Sequence, residues 1–99
     1  MKRNMQNKNS ITKTKLKKYF NITGMALKKA KKALSQEKQT EALIVLDMSQ
    51  RYYDDAKYFE QKGRIVEAFA SLNYAHGWLD AGSKLGLFKV KDTKLFVVK

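Results

Sequence analysis

Residues 63–86, GRIVEAFASLNYAHGWLDAGSKLG, decide the fold of this chain. Ile65, Ala68, Phe69, Leu72, Ala75, His76 and Leu79 recur at three- or four-residue steps, which places them on one stripe of a helix running from about residue 65 to 84. Gly63, just ahead of it, accepts the left-handed conformation that closes a preceding helix. That helix, about 40–62, carries Ala42, Val45, Leu46, Ser49, Tyr52, Tyr53, Ala56 and Phe59 at helical spacing. Leu43, Ile44 and Met48 widen its apolar face, which implies neighbours on two sides. So short a connection makes the two helices an antiparallel hairpin. Ala68, Ala70, Ala75, Ala81 and Gly82 are small enough for close backbone approach, and Phe69, Tyr74 and Trp78 fill the remaining space.

Working outward, Leu16, Phe20, Thr23, Leu27, Ala30 and Leu34 form the seam of a first helix, about 12–36, with a weak point at 21–24 where Gly24 follows the middling helix formers Asn21, Ile22 and Thr23. Ser35 to Gln39 is polar and reads as a connection. Beyond Gly86, Leu87 to Lys91 and Lys94 to Val98 are β-branched or aromatic with partial alternation, the texture of an extended strap or a short hairpin. Two strands alone are marginal in water, so this tail is expected to pack on the helices or pair with another chain. Residues 1–10, MKRNMQNKNS, have no apolar period and read as a disordered arm. The expected architecture is all-α: a three-helix up-down-up antiparallel bundle over 12–86, a basic disordered arm over 1–11, and a short extended or β-hairpin-like tail over 87–99.

The net charge of +12 on 99 residues is unevenly placed. Residues 1–38 hold 12 Lys/Arg and one acidic residue, residues 39–83 hold four and seven, and residues 84–99 hold five and one. Two basic ends around a slightly acidic middle suit an anionic partner such as RNA, whose condensed counterions are released when lysines neutralise phosphates. Lys13, Lys17, Lys28, Lys31 and Lys32 fall beside and opposite the seam of the first helix and form the candidate contact face. The alternative is a solvated helix surface. No apolar run approaches the roughly 20 residues needed to cross a bilayer, and no signal-peptide stretch follows the basic N-terminus. With no cysteine in the chain, the expectation is a cytoplasmic protein with no membrane association.

Signatures of catalysis are missing. There is no phosphate-binding glycine loop, no Gly-x-Ser-x-Gly elbow and only one histidine, which rules out a histidine-rich metal site. The most polar part of the hairpin gathers Tyr52, Asp55, Asn73, His76, Trp78 and Asp80 as a candidate cleft or interaction site. His76 and Asp80 lie four apart, so a carboxylate could hold the imidazole as a general base requires. The competing reading is a core histidine with its hydrogen bonds satisfied.

The segments Met48 to Phe59, Gly63, Glu67 to Ala70, Asn73 to Gly82 and Leu85 to Phe88 closely resemble the archaeal domain of unknown function family number 357. The resemblance is strong over about 40 residues and implies an archaeal, cytosolic protein built on a helical hairpin. It implies no activity. The functional expectation is a non-catalytic binding or adaptor protein that contacts RNA or a ribonucleoprotein, with no cofactor and no metal. Two alternatives stand beside it: a protein-protein interaction or homo-oligomerisation module, and a small-ligand or enzymatic site around His76 and Asp80.

Overall fold

A computed structural model describes residues 12–96; the expected arm over 1–11 and the last residues, 97–99, lie outside the described residues. The chain forms three helices, α1 (Lys13–Lys31), α2 (Gln39–Gln61) and α3 (Ile65–Lys84). They pack as the expected all-α bundle, with α2 and α3 making the most extensive contact.

Local chemistry sets the helix ends. The Thr12 hydroxyl caps α1 by accepting the Lys15 N–H at 3.0 Å. Both hairpin helices end at a glycine in the left-handed region. At Gly63 (φ 75°), the Arg64 N–H bonds the Phe59 carbonyl and the Gly63 N–H bonds the Glu60 carbonyl. At Gly86 (φ 74°) the Leu87 N–H bonds the Gly82 carbonyl and the Gly86 N–H bonds the Ser83 carbonyl. This paired pattern satisfies carbonyls that a helix end otherwise leaves open.

α1 is shorter than the 12–36 expected from periodicity. It stops at Lys31 because the chain beyond it pairs with the tail: the Ser35 N–H donates to the Leu87 carbonyl at 2.8 Å and the Lys89 N–H to the Ala33 carbonyl at 2.7 Å. Leu34 and Phe88 thereby form an antiparallel bridge. The helical seam of the sequence continues through Leu34, but a tertiary partner competes for its backbone. Gly24 does not break α1. It leaves room for Tyr53, whose hydroxyl would sit 2.8 Å from a Cβ at that position.

Among the described residues the two apolar runs of the tail do not pair with each other. The first bridges to Leu34, while the second is turned inward at Asp92, whose carbonyl accepts the Leu95 and Phe96 N–H groups. Leu87, Phe88, Leu95 and Phe96 are buried, and they join Ala26, Leu27, Ala30, Ala42 and Leu79 in one core cluster. A second cluster at the opposite end holds Leu16, Ala56, Ala68 and Leu72. Of the two tail forms the sequence leaves open, the strap is the one formed, and the core extends past residue 86.

Two expectations about packing are corrected. Leu43 and Ile44 are 47 % and 59 % exposed, because among the described residues α2 packs against α1, α3 and the strap, and these two side chains point away from all three. Tyr74 does not fill the hairpin interior; it is 63 % exposed and stacks on Tyr52 at 5.2 Å between ring centroids.

Candidate functional site

Between residues 12 and 32 the chain carries eight lysines and no acidic residue. Helix periodicity divides them. Lys13, Lys17, Lys28 and Lys31 fall within about 60° of arc, on the side of the seam next to α2. Lys28 and Lys31 line a groove of about 390 Å³ between α1 and α2, opposite Gln50, Tyr53 and Lys57. Lys13 and Lys17 line a neighbouring groove of about 530 Å³ that reaches Glu60 and Gly63. Phe20 borders both, so the two join as one furrow along α1. Lys32 is the exposed C-cap of α1 and borders neither. None of these five α1 lysines makes an ion pair among the described residues, whereas Lys29 is held by Asp92 at 2.9 Å.

No carboxylate lines the groove around Lys28 and Lys31. Its floor is aromatic: Phe20 and Tyr53 meet edge to face at 5.7 Å, and the Lys57 ammonium lies 5.0 Å from the Tyr53 ring centre. Burial first, then the charges of Asp54 and Glu60, push the Tyr53 phenol above its ordinary range. The phenol therefore stays neutral and donates to the Phe20 carbonyl at 3.4 Å. Sequence reasoning missed Gln50 and Lys57, although both share the α2 stripe of Tyr53, three and four residues away, and that stripe faces α1.

The hairpin residues that read as one polar cluster are divided among separate surfaces. Asp55 is exposed and Tyr52 is engaged with Tyr74. Trp78 lines a groove on the outer face of α3 with Ala70, Tyr74, Gly77 and Ala81, and Asn73 lies at the edge between that groove and the next. His76 and Asp80 border a cleft of about 400 Å³ with Tyr19, Thr23 and Lys94, and Tyr52 is not among its residues.

His76 has partners at both ring nitrogens. Nε2 lies 2.6 Å from the Leu95 carbonyl, which can only accept, so Nε2 carries a proton; in the neutral ring Nδ1 then accepts from the Thr23 hydroxyl at 3.1 Å. Asp80 stands 3.7 Å from Nε2. The imidazole thus ties α3 to α1 on one side and to the strap on the other. A general base needs a free lone pair directed at substrate, and here the lone pair is occupied. Among the described residues no group of three His, Asp or Glu side chains comes together in a way that could hold a metal ion, and no helix is long and apolar enough to cross a membrane.

A family model described as "Protein of unknown function (DUF357)" matches residues 18–88, from the middle of the first α1 turns through the hairpin to the start of the strap. No curated protein and no solved structure matches the chain.

Proposed function

The chain belongs to the DUF357 family, proteins of unknown function, and from its own surface we propose that it is a non-catalytic RNA-binding or adaptor module that grips phosphates along the α1–α2 furrow. The observation that carries this reading is the run of lysines at the furrow, Lys13, Lys17, Lys28, Lys31 and Lys57, with no carboxylate between the last three. Unpaired ammonium groups on one face keep their charge available to an outside partner, and each phosphate they neutralise releases counterions. Mechanically, the aromatic floor of Phe20 and Tyr53 fixes the spacing of the two helices, and the lysines reach outward from it on flexible stems. Tyr53, the tyrosine of the furrow floor, is packed against Phe20, so the contact is to backbone phosphate and carries little base specificity.

Filter binding of transfer RNA or ribosomal RNA fragments at low salt tests the proposal. Retention at micromolar protein supports it. Affinity too weak to measure even at the lowest salt refutes it and returns the lysine face to a solvating role.

A further inference from the structure

The outer face of α3 is apolar, open and unexplained by the monomer. It carries a groove of about 670 Å³, with Val66, Tyr74 and Leu85 exposed at 69 %, 63 % and 61 %. Gly77 sits at its centre. A glycine inside a helix costs about 1 kcal/mol relative to alanine, and the other interior glycines have an internal reason: Gly24 admits Tyr53 and Gly82 admits the Phe88 ring. A Cβ on Gly77 would meet nothing within 4 Å. The notch serves nothing else among the described residues.

The order of residues on this face says what that is. About a point between Ala75 and His76 the exposed positions are complementary to their own reverse. Tyr74 is matched by Gly77, a large side chain by a notch. Ala70 is matched by Ala81, which permits close approach, and Val66 by Leu85. At the edges Glu67, a half-exposed carboxylate that Arg64 at the helix N-cap already holds at 2.8 Å, is matched by Lys84. Each pair of numbers sums to 151, which at 100° per residue necessarily mirrors the two members about one line; what belongs to this chain is that the pairs match in chemistry and lie within an arc of about 100°. A two-fold axis crossing the face between Ala75 and His76 requires this relation, since it brings residue i of one copy to residue j of the other and j to i.

The geometry points to a homodimer in which α3 packs antiparallel against α3 of a second copy, with Tyr74 seated over the partner's Gly77 and Glu67 facing the partner's Lys84. Charge supports this occupant. Two copies at +12 repel, but residues 39–83 hold four basic and seven acidic residues, so the hairpin is the part of the molecule where two copies can meet. The lysine furrow lies between α1 and α2 and is not consumed by the contact. A 20-residue helix is about 30 Å long and 10–12 Å wide. Such a face buries on the order of 1,000 Å² in total, the lower bound for a specific interface, so the dimer is of the weak, micromolar class. This inference is independent of the RNA reading.

Sedimentation equilibrium of the full chain, from about 1 to 500 μM in 0.15 M salt where charge is screened beyond about 8 Å, tests it. The wild type is expected to pass from monomer to dimer. Gly77→Leu fills the notch at a position with open space around it, so it should keep the fold and weaken association by about tenfold or more. Lys84→Glu should weaken it and Glu67→Lys/Lys84→Glu should restore it, a rescue that depends on the antiparallel register and on no property of the glycine. A wild type monomeric at every concentration overturns the proposal. So does a dimer indifferent to both Gly77→Leu and the charge reversal, which would place association elsewhere on the molecule.

Discussion

The Ser49 hydroxyl donates a 2.8 Å hydrogen bond to the Ala75 carbonyl across the α2–α3 contact. With Ser49 opposite Ala75 in an antiparallel pair, Ala42 falls opposite Gly82 and Ala56 opposite Ala68. All six are buried, and all six are small. Two backbones can approach closely only where neither carries a large side chain, and a repeat of seven residues on each helix keeps these positions on the shared seam. The Ala75 carbonyl keeps its helical partner, so the hydroxyl adds to that bond and satisfies itself in the process.

Ser49→Ala should therefore cost only about 0.5–1.5 kcal/mol, the usual net value of one hydrogen bond. Ser49→Leu has no room and should cost more, about 1–3 kcal/mol or beyond, through overpacking. Urea denaturation followed by helix ellipticity checks the order. Equal losses for the two variants would mean that the seam is looser than described.

The interior glycines of α3 should respond with opposite signs. Gly77→Ala meets nothing and should stabilise the monomer by about 1 kcal/mol. Gly82→Ala meets the Phe88 ring and should destabilise by about 1–3 kcal/mol as the strap is displaced. Measured well below micromolar concentration, where a dimer of the micromolar class is dissociated, the two unfolding midpoints should lie on either side of wild type.

These glycines also show what could be read before the structure was known. The α3 bounds, the Gly63 stop and the antiparallel hairpin follow from three- and four-residue spacing and one left-handed residue, which are local signals. Small residues at 68, 70, 75, 81 and 82 suggest close packing, but residue type alone does not say which of them face α2. Only 68, 75 and 82 share the seven-residue repeat that answers 42, 49 and 56. The early end of α1 is not legible because it is set by pairing between segments over 50 residues apart in sequence, and the burial of Leu95 and Phe96 is not legible because it needs a turn at Asp92 and a core assembled from all three helices. Of the candidate site, Lys13, Lys17, Lys28 and Lys31 share one furrow and Lys32 does not, Lys57 joins the four through tertiary packing, and the polar hairpin residues separate onto different faces.

His76 should behave as a structural tie. Removing it in His76→Ala leaves the Thr23 hydroxyl and the Leu95 carbonyl without this partner, at a cost of about 1–3 kcal/mol if water does not replace it. Thr23→Val alone should cost less, and the double variant should cost less than the sum of the singles because both break the same bond. Additive losses would show that Thr23 and His76 are not coupled.

The strap should loosen in acid. Hydrogen bonds from the Lys29 ammonium and then from the Lys94 backbone N–H hold the Asp92 carboxyl below its ordinary range. A carboxylate with a depressed folded pKa contributes stability that is complete above its unfolded value, about 3.9, and is lost as pH falls through the lower folded value. Amide exchange at Leu95 and Phe96 should thus accelerate as pH drops below about 4, after correction for intrinsic exchange. In Asp92→Asn that added acid dependence should disappear. Protection that is insensitive to pH in both forms would show that the buried side chains alone hold the strap.

The most direct test of the functional account is the salt dependence of RNA binding, measured by anisotropy of a labelled transfer RNA. If five furrow lysines engage phosphates, the logarithm of the association constant should fall linearly with the logarithm of salt concentration, with a slope of about −3.5 to −4.5. Replacing Lys28, Lys31 and Lys57 together by glutamine should reduce that slope by about 2–3 while helix content is unchanged. A triple variant that binds RNA with the wild-type slope, or a wild type that does not bind at the lowest salt, would contradict the account.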